Sequence, residues 1–241
     1  RFLKRIRRSQ KLKNENPEST NSYKLKTYFL RTYNRFFSKQ YYSNSTPYTS
    51  GKEDFVYFPL HYPKDSQLTL RGKPFMDQAS IIETVARYVP YPYTLVVKEH
   101  PHARGWYKTS DIKKMASLPN VKLIHPFTNS HEIIPNAKGI IAINSSVGYE
   151  GIIYRKPVIT MGRSFYRNCG VTIDVNSLYE LEQAFERMES FSLTNDDIIN
   201  FLWRMKYFSY PVVSYFDRSP ENRALIVKAA EHYLKTNNIL G

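Results

Sequence analysis

Three observations predict an α/β protein whose parallel sheet is covered by helices on both faces. Short apolar runs recur between residues 54 and 174 and alternate with stretches of helical period, the rhythm of βα units. The runs are continuous instead of alternating with polar residues, as strands buried on two faces require. Residues 139–162, GIIAINSSVGYEGIIYRKPVITMG, contain a strand, a polar turn, a short helix and a second strand in one piece.

The elements follow in order. Residues 1–50 read as a basic linker with one helix, from Tyr23 to roughly Phe37, where Leu25, Tyr28, Phe29, Thr32, Tyr33 and Phe36 fall near helical spacing and predict a face that packs on something. A polar linker, residues 43–52, leads into a domain spanning 51–241. Val56, Tyr57 and Phe58 form the first strand, with Pro59 expected to end its pairing. After a loop over 62–74 comes an amphipathic helix over 77–88, with Ile81, Ile82, Val85 and Tyr88 on one face and Pro90 and Pro92 closing it. Strands at 94–97 and 121–124 flank a helix near 110–117, and a short helix over 130–135 reaches the strand at 140–143. In the unit that follows, Arg155 and Lys156 suit a helix C-terminus and Pro157 stops the helix before the strand at 158–160. A strand at 171–174 and helices over 177–188, 196–208 and 219–236 complete the chain.

The net charge of +14 is unevenly placed. Residues 1–40 hold twelve Lys and Arg against Glu15 and Glu18, a net of +10, which leaves +4 for the other 201 residues. A basic segment of this kind serves as a solvated linker or binds an anionic membrane surface, a nucleic acid or an acidic protein face. A nucleic-acid binder would interleave basic and aromatic residues across the sheet domain, and the excess is confined to the N-terminal segment, so no nucleic-acid partner is expected. A single cysteine, Cys169, excludes an intramolecular disulfide and points to a reducing compartment. No run nears the roughly 18 apolar residues of a membrane helix, and no signal-peptide core is present. A cytoplasmic location is expected, peripheral at the inner face of the membrane if residues 1–40 bind it. The chain begins with Arg1, as a piece of a longer protein would.

Chemistry is expected just beyond the strands' carboxyl ends. These positions carry His61 after the first strand, Lys98, Glu99, His100 and Pro101 after the second, and Asn144, Ser145 and Ser146 after the strand at 140–143. Two readings of the turn at 144–148 stand: a serine that caps a helix, or an anion site made by unpaired N–H groups, two hydroxyls and the positive end of the helix dipole. Gly148 keeps the first helical turn free of a side chain and is counted with the turn as a phosphate-binding position. Glu150 lies four residues after Ser146, whereas a capping box places the acid at the third position, so with Ser146 as cap Glu150 stays available for ribose hydroxyls. No clustered aspartates suggest a metal site, and Asp196 with Asp197 reads as a helix start.

The segments FPLHYP (58–63), FMDQ (75–78), VVKEHP (96–101), INSSVGYEGIIYRKPVITMG (143–162) and SFY (164–166) resemble, in the same order, the bacterial capsule polysaccharide biosynthesis family. That family is related to GT-B-type glycosyltransferases that use CMP-Kdo and is distantly similar to sialyltransferases. The resemblance covers residues 54–190 and leaves 1–45 unexplained. It implies a Rossmann-like sheet that forms the C-terminal, donor-binding half of a two-domain enzyme, with the N-terminal half absent from this sequence. It further implies that His100, Ser145 and Ser146 hold the CMP phosphate, that Glu150 approaches the ribose, and that His61 faces the interdomain cleft as the catalytic candidate. The sequence departs from the family pattern at YPKDSQ, where Lys64 and Asp65 follow the proline.

The expected function is donor-nucleotide binding in a glycosyltransferase for surface polysaccharide, with a CMP-activated sugar acid as donor substrate, no separate cofactor and no metal. The acceptor would be a glycan or glycolipid. A UDP-sugar enzyme of the same fold and a non-catalytic sugar-nucleotide or glycan-binding module are the alternatives.

Overall fold

The computed structural model describes residues 21–43, 53–212, 217 and 219–236. The basic residues 1–20 and most of the polar linker at 43–52 lie outside the described residues. Two compact units divide the chain between Thr194 and Asn195. The helix before residue 50 belongs to the unit that holds the sheet, and the last two helices, α8 (Asn195–Tyr207) and α9 (Pro220–Thr236), belong to the other.

The sheet unit runs α1 (Asn21–Ser38), β1 (Phe55–Pro59), α2 (Ser66–Thr69), α3 (Gln78–Tyr88), β2 (Thr94–Lys98), α4 (Thr109–Ala116), β3 (Val121–Ile124), α5 (Ser130–Ile133), β4 (Gly139–Ala142), α6 (Ser146–Ile153), β5 (Val158–Thr160), β6 (Ile173–Asp174) and α7 (Leu181–Ser190). The six strands are parallel in the order β3-β2-β1-β4-β5-β6, a Rossmann-like sheet flanked by helices. The continuous apolar runs have the predicted cause, since every residue of β1 and β4 is buried. Val56, Phe58, Leu95, Val97, Ile141 and Ile159 share a core with Ile82, Val85, Met115 and Phe185 from the covering helices. The chain winds outward through β1, β2 and β3 and then returns to place β4 beside β1. That reversal opens a crevice beyond the carboxyl ends of β1 and β4.

Several elements differ from expectation, each for a local reason. Pro59 does not end the β1 ladder: it stays in register with Lys98, and the next N–H, of Leu60, donates to the Lys98 carbonyl (2.9 Å). The loop at 62–74 contains α2, because Asp65 caps it by accepting from the Gln67 N–H (3.0 Å). The last strand is two residues long instead of four. Thr172 donates to Asp174 (2.7 Å), and the Asn168 N–H bonds the same carboxylate (2.9 Å), which ties these polar groups into the preceding loop.

Candidate functional site

The crevice beyond β1, β2 and β4 is a cleft of about 360 Å³. Its floor is Tyr57 and Pro59, one wall carries Lys98, His100 and Pro101, and the other carries Ser145, Ser146, Val147 and Glu150. Thr128, Asn129, Ser130 and His131, from the loop after β3 and the start of α5, close the third side. A larger cleft of about 490 Å³ lies beyond β5 and β6, lined by Arg71, Lys73 and Arg163. Its fourth cation, Arg167, donates to the carbonyls of Thr160, Gly162 and Val175, which ties the guanidinium to the local chain.

The turn after β4 is built by Ser145. Its hydroxyl accepts from the Val147 N–H (3.2 Å), so Ser145, not Ser146, is the N-cap of α6. The capping reading holds for Ser145, while the exposed Ser146 presents its hydroxyl into the cleft at the helix N-terminus. The Tyr166 hydroxyl donates to the Ser145 carbonyl (2.8 Å) from behind the turn. This is the reason for Gly148, which is buried and takes no part in the lining. A Cβ there would lie 2.3 Å from the Tyr166 oxygen. The space left by its missing side chain holds a tyrosine, so the expected phosphate-binding role of Gly148 is replaced by a packing role.

Lys98 is buried, and its ammonium donates to Ser130 Oγ (3.3 Å). Burial pulls it below the ordinary lysine range, and the Glu150 carboxylate partly restores it. His100 Nδ1 accepts from the His102 N–H (3.2 Å), capping the short 3-10 turn at Pro101–Ala103. Burial, then His102 and Lys98, hold its pKa below the usual histidine value. The neutral ring therefore carries its proton on Nε2, as a hydrogen-bond donor.

Three further expectations are corrected. His61 is buried, with a side chain 4% exposed, and its Nε2 accepts from the Asn144 N–H (3.2 Å). Nδ1 lies 3.9 Å from the Asp65 carboxylate. Burial lowers its pKa, which Asp65 opposes. Gln78 grips the His61 backbone at both N–H and C=O, and Tyr107 donates to the same carbonyl (2.7 Å). With Nε2 occupied and the ring outside the cleft lining, His61 braces β1 to the turn after β4 and is not placed as a catalytic group. Asn144 is buried in the same brace, its amide donating to the Gln67 carbonyl (2.8 Å). Glu99, the first residue after β2, is buried outside the cleft lining, between Lys98 and His100, which belong to it. The Tyr42 hydroxyl donates to its carboxylate, and burial raises its pKa. The departure at Lys64 and Asp65 has a structural use: Lys64 donates to the Tyr23 hydroxyl (2.9 Å), and Asp65 caps α2 beside His61.

Sequence reasoning missed Ser130, His131 and their neighbours. The signal was available in HPFTNSH (125–131), whose His-Pro follows β3 as the His-Pro of EHP (99–101) follows β2. Among the described residues, no three His, Cys, Asp or Glu side chains gather as a metal-holding group.

The profile of the family described as "Capsule polysaccharide biosynthesis protein" matches residues 10–211. The chain belongs to this capsule polysaccharide biosynthesis family. Protein FixF of Sinorhizobium fredii is 33% identical over 133 residues, covering 54% of this chain and 32% of FixF. The capsule polysaccharide modification protein LipB of Neisseria meningitidis is 27% identical over 136 residues, covering 52% and 32%. The chain thus spans about a third of the length of these relatives. Among solved structures, a Thermosulfurimonas dismutans KpsC described as a beta Kdo 2,7 transferase superposes with a TM-score of 0.44 at 20% identity, over 73% of this chain and 61% of KpsC. The UDP-GlcNAc 2-epimerase of Methanocaldococcus jannaschii gives 0.48 at 16% identity, over 73% and 51%. No helix among the described residues of this family member is long and apolar enough to cross a membrane.

Proposed function

We propose that this chain is the donor-nucleotide-binding half of a glycosyltransferase acting in capsular or surface polysaccharide synthesis, with a CMP-activated sugar acid as donor. The observation that carries the reading is that Lys98 and His100 on one wall of a cleft face the α6 N-terminus and Glu150 on the other. A sugar leaving a nucleotide leaves negative charge on the phosphate, and donors aimed there stabilise it. Lys98 supplies an ammonium, His100 an Nε2–H, and Ser145 and Ser146 hydroxyls and backbone N–H groups. Glu150 is assigned to the ribose hydroxyls. The preference for cytidine rests on the resemblance of the ordered motifs. The acceptor and the catalytic carboxylate are assigned to a second α/β half outside this sequence.

Calorimetric titration with CMP and UDP in the presence of a chelator tests the reading. CMP should bind, with affinity lost in Ser146→Asp, whose carboxylate repels phosphate at the turn. No heat at millimolar nucleotide, or a strict need for a divalent ion, sinks it; tighter UDP binding keeps the site and changes the donor.

A further inference from the structure

Helix α1 is amphipathic in the reverse sense to its setting. At about 100° per residue, Tyr23, Thr27, Arg31, Asn34 and Ser38 fall on one stripe, and these are the less exposed residues. This polar stripe docks α1 on the loop after β2. Asn34 Nδ2 donates to the Gly105 carbonyl (3.1 Å), and Arg35 Nε donates to that of Arg104 (3.1 Å). Thr109 donates to Asn34 Oδ1 (3.3 Å). The approach is close enough to require glycine: Gly105 has φ +83°, and a Cβ there would lie 2.5 Å from the Arg31 carbonyl oxygen.

The opposite stripe is apolar and faces outward. Leu25, Tyr28, Phe29, Tyr33, Phe36 and Phe37 lie on it, with Phe29 62% and Phe36 75% exposed. The rings touch one another, Tyr33 with Phe37 (centroids 4.4 Å apart) and Phe36 with Phe37 (5.2 Å). Packing was expected on this face, and the sheet unit does not supply it. The flanks of the stripe are cationic: Lys26 borders one edge, and Lys24, Arg35 and Lys39 border the other. Residues 21–43 contain no acidic side chain. The sequence immediately before, residues 1–20, is itself strongly basic.

We propose that α1 is an interfacial helix that seats this chain on an anionic lipid bilayer, its aromatic stripe in the headgroup and upper acyl region and the cations at its flanks among the phosphates. An apolar stripe edged by basic residues is the pattern of a helix lying in that plane. Charge selects the occupant. A second copy of the chain on the same face would set the four cations beside this stripe, Lys24, Lys26, Arg35 and Lys39, against another four, whereas an anionic surface neutralises them. The inference does not depend on the nucleotide reading.

Flotation of the full chain tests it, with vesicles of phosphatidylcholine alone and of phosphatidylcholine with phosphatidylglycerol at three to one. The chain should float with the anionic vesicles and stay behind with the neutral ones. Phe29→Ser with Phe36→Ser should weaken partitioning by at least about tenfold, and Lys26→Gln or Lys39→Gln by roughly fivefold each. The thermal midpoint should not move, because the substituted side chains are exposed. A double variant that floats as well as the parent chain overturns the proposal, because residues 1–20 would then suffice. Absence of flotation together with a dimer that the double variant breaks overturns it in favour of self-association.

Discussion

Two neighbouring groups of polar side chains stand at the carboxyl edge of the sheet, and they behave in opposite ways. Between β1 and β4, His61, Gln78, Tyr107 and Asn144 are buried and bond to one another or to backbone. Beside them, Lys98, His100, Ser145, Ser146 and Glu150 line an open cleft. The first group holds the turn that the second group uses. A buried polar group left unpaired costs about 1–3 kcal/mol, and within the brace nearly every side-chain polar atom is paired, Asn144 Oδ1 being the exception. The cleft wall borders solvent, and its groups can exchange water for ligand.

Mutations that separate stability from binding test this division. The largest effect is expected for Gly148→Val, which forces a side chain into Tyr166. Overpacking of this kind costs about 1–3 kcal/mol or more, and thermal denaturation should show it; an unchanged midpoint would remove the packing account of Gly148. Next, His61→Ala leaves the Asn144 N–H without its acceptor and should cost about 2 kcal/mol, with nucleotide affinity falling as a consequence of a loosened turn. If His61→Ala keeps its midpoint and abolishes only a glycosyl transfer that the parent full-length protein supports, the brace is wrong and the catalytic expectation returns. Lys98→Met keeps the stem and removes the charge. It should weaken nucleotide binding by roughly tenfold while leaving the midpoint near that of the parent. Glu150→Ala should weaken binding by about fivefold with no loss of fold; unfolding would assign the residue to structure.

The smallest effect concerns Glu99. Burial raises its pKa in the folded chain, so as pH rises past the ordinary carboxylate value the unfolded state loses its proton first. Stability contributed by the protonated form is present at low pH and is lost as pH climbs through the raised folded value. Glu99→Gln should therefore flatten the dependence of the melting midpoint on pH above the ordinary carboxylate range. A slope equal to that of the parent chain would mean that the Tyr42 bond and the nearby Arg104 and Arg35 already offset the burial.

The sheet was legible in the sequence because doubly buried strands leave continuous apolar runs, and those runs survive inspection one segment at a time. The cleft was legible in part for a related reason: strand ends fix where Lys98, His100, Ser145 and Ser146 must lie. Glu99 was misread although an extended chain continuing past Lys98 sends the next side chain to the opposite side. His61 could not be placed from the sequence, since its partners Gln78, Tyr107 and Asn144 lie 17, 46 and 83 residues away. For α1 the helical period was legible and its direction was not. Which stripe docks depends on the carbonyls of Arg104 and Gly105, and nothing in residues 21–43 announces them.

The loop after β2 carries two of these features within a short length of chain. His100 lines the cleft, and Gly105 is where α1 is latched. Five residues of chain span at most about 18 Å. The latch of a helix seated at a bilayer would therefore stand within that reach of His100, a span that a lipid-linked sugar of a few residues can bridge without leaving its membrane.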